Sequence, residues 1–497
     1  VSLEKIEMMR FSKTPLVAGL VLALAAAAPA LAQDSASTTD TAVIPDALSP
    51  DEAVRIALAN HPLLDASAAE VEAAELDKKV ARSGYIPRLD LTEDYVRSTN
   101  PVFVFASKLG QQSFTAADFD LQTLNSPDPY NNSQLRITLQ QNIWDGGRTG
   151  HGNEAATAGI EAAKQSQRRS EEQIAFGAIQ AFWHQVVAEQ MLGVATDAEQ
   201  AAEANVSLAA ELVDAGLAVG SDLLSAEVRL AEIQAMRIHA EQGVQVSQAA
   251  VRQALGLDGL ETFRLLTPGD EIPALDDSLM QRQEDALVRR PDLLAMEQKL
   301  RQADQGVKIA KSPRLPQFGL IAQYEMNGES FLANDGTNWT VGVGMRYRFF
   351  DGTAAKARVA KARAQNTRLE AMIETMRQGV RLEVQAAWAE RVAAERRLAV
   401  AAAAVNRSEE ALRIVRDRYG EGMAVMVELL AAEAAHTKSQ ADHVASLGDV
   451  WISRAVVDLA SGHRSWQQAS DDSATKNSLA RLAPREGDGN GDGDEIR

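Results

Sequence analysis

The 497-residue chain contains no cysteine. Disulfides, thiolate metal sites and cysteine nucleophiles are therefore excluded, and so is the lipid-modified cysteine that a bacterial lipoprotein carries just after its signal. Aromatic residues make up only 5% of the chain, and there are only 15 prolines. Together with abundant alanine, glutamate, arginine and glutamine, this favours long helices whose axes approach closely. The seven histidines form no H-x-x-x-H pair. A formal net charge of −19 argues against nucleic acid as a partner. Beyond the N-terminal region no run of 18 consecutive apolar residues occurs, so no transmembrane helix is expected.

What is present begins with an export signal, predicted over residues 1–32. Arg10 and Lys13 form a basic region, residues 16–28 an apolar one, and Ala30-Leu31-Ala32 a cleavage site that leaves Gln33 as the mature start. Met8 or Met9 is the expected initiator. A Ser/Thr/Asp-rich lead-in follows, up to Leu48.

The rest of the chain is written twice. Asn60-His61-Pro62-Leu63-Leu64 returns as Arg289-Arg290-Pro291-Asp292-Leu293, and Ile86-Pro87-Arg88-Leu89 as Leu315-Pro316-Gln317-Phe318, both at a spacing of 229. Further on, the spacing is 206. Trp144-Asp145-Gly146 maps onto Phe350-Asp351-Gly352, and Gly216-Leu217-Ala218-Val219 onto Gly422-Met423-Ala424-Val425. The difference between the two spacings is 23 residues, an insertion in the first copy between about Val96 and Ser133 that is expected to be a surface loop. A period this long is no solenoid. It is a duplicated domain, with repeats expected at 49–255 and 279–462, a Gly/Pro/Asp-rich linker at 256–278, and a disordered acidic tail at 463–497.

Each repeat has the same order of patterns. Ser49-Pro50-Asp51-Glu52 carries cap, first-turn proline and acid, and predicts a helix to about Ser83 that His61-Pro62 breaks. Its counterpart runs over 279–311, broken at Arg290-Pro291. The period then switches from 3.6 to 2. Leu89, Leu91 and Tyr95 alternate with polar residues, and so do Phe318, Leu320, Ala322 and Tyr324. Leu135, Ile137, Leu139 and Ile143 alternate with Arg136, Thr138, Gln140 and Asn142. In the last strand Trp339, Val341, Val343, Met345, Tyr347 and Phe349 face one way, and Asn338, Thr340, Gly342, Gly344, Arg346 and Arg348 the other. Strands of this length and alternation fit an outer-membrane barrel or a half-buried soluble sheet; the export signal and aromatic strand ends favour lipid. Proline-free segments 151–213 and 353–418 predict helices near 95 Å long, at about 1.5 Å per residue. Return helices are expected over 222–255 and 427–459. These are half as long, so the helices before the strands must stack on them end to end. Apolar seams such as Ile174, Ala178, Ala181, Val186 and Leu192 fit a coiled coil. Four strands cannot close a membrane barrel, and open edges are not tolerated in lipid, so two chains (eight strands) or three (twelve) are required.

In order and double occurrence, the His61-Pro62 and Arg290-Pro291 breaks, the Pro87 and Pro316 strand starts, the Trp144-Asp145-Gly146-Gly147-Arg148 and Phe350-Asp351-Gly352 turns, and the two glycine tips resemble the TolC-like outer-membrane efflux protein family. The resemblance implies a mainly α protein with a β-barrel portion: a trimeric twelve-stranded barrel in the outer membrane above a long α-helical coiled-coil tunnel in the periplasm. It implies an exit duct for tripartite efflux or type I secretion, coupled through a periplasmic adaptor to an inner-membrane RND, ABC or MFS pump. No enzyme activity and no cofactor are implied. At the periplasmic tip the resemblance assigns the pore constriction to Glu428, its repeat equivalent Asp222, and Tyr419. The family's second acid is Ala431 here, and the arginine two residues after its tip glycine is Ala424, so the acidic ring is thinner and the arginine latch is missing. Adaptor docking falls to Gly216, Leu217, Ala218, Val219, Gly422, Met423, Ala424 and Val425.

Other features have plainer explanations. Asp145-Gly146-Gly147-Arg148 lacks the phosphate-loop pattern. Asp488, Asn490, Asp492 and Gly493 begin a calcium-loop pattern that stops short of its twelfth-position glutamate. A soluble periplasmic coiled-coil scaffold is the competing expectation. An exported enzyme is the weakest, since no nucleophile–base set appears.

Overall fold

The Ser49 hydroxyl accepts a hydrogen bond from the Glu52 amide at 3.2 Å and so opens α1, Pro50–Asn60. The computed structural model describes residues 47–259, 263–267 and 278–464, all within one unit. The expected export signal, most of the lead-in, part of the linker and nearly all of the acidic tail lie outside the described residues. A short strand β1, Ala47–Leu48, precedes α1 and pairs in parallel with β4, Arg264–Leu265. The first part of the linker is therefore tied to the core.

After the break at His61 comes α2, Pro62–Ser83, then β2, Arg88–Ser98. An inserted segment carries α3, Pro101–Gly110, and α4, Leu121–Asn125. Then follow β3, Tyr130–Trp144, α5, Arg148–Asp214, and α6, Gly220–Leu255. The second copy has α7, Leu279–Arg289, α8, Pro291–Lys311, β5, Gln317–Gly328, β6, Gly336–Arg346, α9, Ala354–Gly420, and α10, Met426–Ser461.

The duplication is exact in element length where helices matter most. The long helices α5 and α9 have 67 residues each and the returns α6 and α10 have 36 each. At 1.5 Å per residue that is ~100 Å against ~54 Å. The missing length comes from α1 with α2 and from α7 with α8. The joint is visible in the glycines. A side chain on Gly256, the left-handed cap of α6, would meet the Asn60 carbonyl oxygen at 2.7 Å. One on Gly462, the cap of α10, would meet the Arg290 amide nitrogen at 3.2 Å. Each return helix thus ends against the proline break of the helix pair that continues it.

The cores of the two repeats are equivalent. Ala57, Ile174, Ala178 and Val251 are buried together in the first, and Ala286, Val380, Val384 and Val457 in the second. The first core is larger, with Phe182 and Trp183 in edge contact and Trp183 stacked on Trp451 of α10 at 4.9 Å.

The four long strands form one antiparallel sheet in the order β2-β3-β5-β6. The turn from strand to long helix is built alike in both copies. Asp145 Oδ2 accepts from the Thr149 amide at 2.9 Å, and Asp351 Oδ2 from the Ala355 amide at 2.7 Å. Two successive residues are left-handed in each turn: Gly146 and Gly147, then Gly352 and Thr353, the last at φ 74°. A β-branched residue held there is strained by ~1–2 kcal/mol.

Three expectations change. The insertion is not a plain loop but a small folded body. Its Phe105, Phe114 and Phe119 rings are in edge contact, and Lys108 pairs with Asp118 at 2.5 Å. β6 ends at Arg346, which leaves Arg348 in the connection to α9. The register shifts between Asn142 and Trp144, which breaks the alternation that grouped Ile143 with Leu139 and sets Trp144 opposite Phe318.

Candidate functional site: the two-faced sheet and the helical tips

Register sorts the sheet into two faces. On one, Leu91, Ile137 and Tyr324 lie side by side across three strands, and Leu320 pairs with Val343. The apolar residues of β6 on this face, Trp339, Val341, Val343 and Met345, are all exposed in the single chain. On the other, Arg136 Nε donates to Glu325 at 2.8 Å, and Gln134 donates to Glu325 and Asn327 at 3.3 and 3.2 Å. Arg346, opposite Gln317, shares this polar face. A soluble half-buried sheet hides its apolar face; here that face is bare.

The helical hairpins turn through matching glycine caps. Gly216 and Gly422 both have φ 71°. The Leu217 amide bonds to the Leu212 carbonyl and the Met423 amide to the Arg418 carbonyl, both at 2.8 Å. This is the six-to-one closure of a left-handed C-terminal cap. Leu217, Val219, Met423 and Val425 are exposed beyond it, whereas Ala218 and Ala424 are half-buried. Ala424 packs on the cluster of Ala209, Ala226, Leu412, Tyr419, Met426 and Leu429, which joins the two hairpins.

Within that cluster Tyr419 is buried. Burial, and secondarily the nearby Asp222 carboxylate, raises the pKa of its phenol. Tyr419 thus holds the second tip to the first, with Asp222 beside it. Glu428 is exposed in the first turn of α10, and Arg418 Nη1 approaches its carboxylate at 4.0 Å. Arg418 also donates to the Met423 carbonyl at 3.0 Å.

Sequence reasoning missed two groups here. Arg418 is ten positions from Glu428, and only the tight turn brings them together. Glu433 is buried, receives a hydrogen bond from Asn205 of α5 at 2.5 Å and pairs with Arg416 at 3.3 Å. Its repeat equivalent, Glu227, is exposed, so the internal repeat gave no sign of this link between the hairpins. Among the described residues no group of acids and histidines could hold a metal, and no helix is long and apolar enough to cross a membrane.

The family model for outer membrane efflux proteins matches residues 53–257 and 283–463, both repeats and most of the chain. The chain belongs to the outer membrane efflux protein family. It is 26% identical over 398 residues to Protein CyaE of Bordetella pertussis, covering 79% of each chain. It is 22% identical over 377 residues to outer membrane efflux protein BepC of Brucella suis, covering 75% of this chain and 76% of that one. A solved membrane protein from Pseudomonas aeruginosa superposes with a TM-score of 0.71 at 21% identity, over 84% of this chain and 92% of that one. The protein is therefore an outer-membrane exit duct with its helical part in the periplasm, and the soluble scaffold is set aside.

Proposed function

We propose that three copies of this efflux-family chain close their sheets into one twelve-stranded barrel. The duct so formed is passive. It serves a tripartite efflux or type I secretion system, reached from an inner-membrane RND, ABC or MFS pump through a periplasmic adaptor. The sheet carries this reading: one bare apolar face, one polar face, and two open edges, β2 and β6. Lipid offers no hydrogen bonds to such edges. β6 of one chain runs antiparallel to β2 of the next, so head-to-tail pairing satisfies both. Two chains would give eight strands, an interior that side chains fill. An open duct needs more, and three chains supply it. Crosslinking in mild detergent is expected to trap a three-chain species; a stable monomer there overturns the architecture.

The tips are the proposed adaptor contacts. Each chain presents two similar turns, so a trimer presents six. Leu217 and Met423 are the exposed apolar residues to alter, because Ala424 also serves the tip cluster. Leu217→Glu combined with Met423→Glu is expected to abolish efflux while the amount of protein in the outer membrane stays unchanged. Unaltered tolerance of pump substrates in cells carrying this variant counts against the tips as the docking site.

Glu428, Asp222 and Tyr419 are the proposed constriction, with Glu428 the exposed acid and Tyr419 buried in the tip cluster. Three carboxylates near one axis favour cations, but Arg418 beside each weakens the effect. Glu428→Gln is expected to lower cation selectivity in planar bilayers, and Asp222→Asn to lower it less. Unchanged selectivity in Glu428→Gln would leave the residue as a helix-terminal acid, stabilised by the helix dipole by about 0.3–1 kcal/mol.

A further inference from the structure

We infer that the insertion between β2 and β3 is a size filter at the outer mouth of the duct. The inference rests on the polar face of the sheet lining the lumen, as proposed above. The insertion joins the ends of β2 and β3 that lie away from the long helices, which is the outer end of the sheet. It has its own fold, held by the Phe105–Phe114–Phe119 ring contacts and the Lys108–Asp118 pair. Such a body could lean outward over lipid, stand up into solvent, or fold inward.

Its contacts choose the third course. Gln111, at the end of α3, is 2% exposed. Its amide donates to the Asn131 carbonyl and to Asn132 Oδ1, both at 2.9 Å, and accepts from the Tyr130 hydroxyl at 2.6 Å. Asn132 in turn donates to Asn327 at 3.4 Å, and Asn338 donates to the Gly110 carbonyl at 3.4 Å. Asn132, Asn327 and Asn338 lie on three adjacent strands and on one face. Register places that face as the one carrying Gln134, Arg136 and Glu325. The end of α3 therefore sits on the lumen side of the sheet. The fit is close: a side chain on Gly336 would come within 2.3 Å of the Gly110 carbonyl oxygen. The second repeat has only a short turn between β5 and β6, so it leaves the space that α3 occupies.

Size decides the consequence. Twelve strands spaced ~4.8 Å apart and tilted ~40° make a ring roughly 24 Å across between backbones. A helix with its side chains is about 10 Å wide. Three such bodies set on the inner wall take up most of the cross-section and leave passages only for narrow solutes. The insertion would then exclude bulky external molecules from a duct whose other gate is at the far end of the helices.

The absence of native cysteine makes the test direct. Thr340→Cys places a single thiol on the polar face, two residues along β6 from Asn338 and on the helix side of the contact. Intact cells are treated with a small membrane-impermeant maleimide, or with one carried on a polyethylene glycol chain of several kilodaltons. The small reagent is expected to label in every background. The large one is expected to label at least about tenfold faster once residues 101–129 are replaced by a short Gly-Ser turn. Gly336→Val is a second route to the same end, because its side chain pushes α3 off the sheet; it decides the matter if the shortened variant does not reach the outer membrane. Equal rates for the large reagent with and without the insertion in place overturn the filter. No labelling by the small reagent in any background means instead that the polar face is not the lumen, and the barrel reading itself fails.

Discussion

Arg290→Met is expected to destabilise the protein by about 3 kcal/mol, at the lower end of the range for removing one partner of a buried ion pair. The Arg290 side chain is 5% exposed. It holds both oxygens of Asp292, at 3.1 and 2.6 Å, reaches Glu383 of α9 at 2.6 Å, and donates to the Ala460 carbonyl of α10 at 3.2 Å. One guanidinium thus ties three helices together at the joint where α10 ends on the α7–α8 break. Methionine fills similar space but leaves Asp292 without its partner; Glu383 is half-exposed and can turn to water. Burial pushes the Asp292 pKa up, but the bonds from Arg290 outweigh it, and the carboxyl ends below its ordinary range. A depressed carboxylate pKa gives stability that is present above the unfolded pKa and lost as pH falls through the folded one. The wild type should therefore lose this contribution in acid, and Arg290→Met should lack that step. Pairing the change with Asp292→Asn should restore much of the loss, since replacing a whole buried pair is far cheaper than breaking it. Heat-induced dissociation of the detergent-solubilised assembly measures both variants. A shift in Arg290→Met no larger than that of an ordinary surface change, about 0.5 kcal/mol, would sink the argument.

Val343→Arg is expected to cost about 2–4 kcal/mol, the penalty for a cation on the lipid face near mid-bilayer. Val343 is 70% exposed in the single chain and pairs with Leu320 in the row that includes Val341 and Met345. Thr340→Gln, on the opposite face beside Gln323, should cost little. The yield of assembled protein in the outer membrane reports both. Equal tolerance at the two positions would show that the faces have been assigned the wrong way round.

The elements with strong periodicity were legible from residues alone. The 206-residue spacing gave the paired long helices, and alternation in β6 gave its two faces. The proline breaks gave the helix joints, because proline disrupts a helix wherever the neighbours stand. What escaped were features that depend on distant polar contacts. The insertion has no sustained alternation or helical period, and its anchor, Gln111, is an ordinary surface type whose burial comes from Asn131 and Asn132. Arg290 showed as part of a break motif, yet its first-repeat equivalent is His61, which caps α2 through Nδ1 instead. Resemblance is what proposes Glu428, Asp222 and Tyr419 as tip residues, whereas the burial of Tyr419 and the approach of Arg418 to Glu428 depend on how the chain packs at the tips.

The open edges of the four-stranded sheet also bear on how the protein is made. A lone chain carries β2 and β6 unpaired, which is a template for faulty association. In the proposed trimer no chain can finish its barrel alone, so insertion and assembly become one concerted event whose rate climbs steeply with local concentration. A defect in one edge then spreads beyond the chain that carries it. When normal and edge-damaged chains are made in equal amounts and mix at random, only about one trimer in eight is wholly normal. Mutations in β2 or β6 that block edge pairing should accordingly behave as dominant alleles.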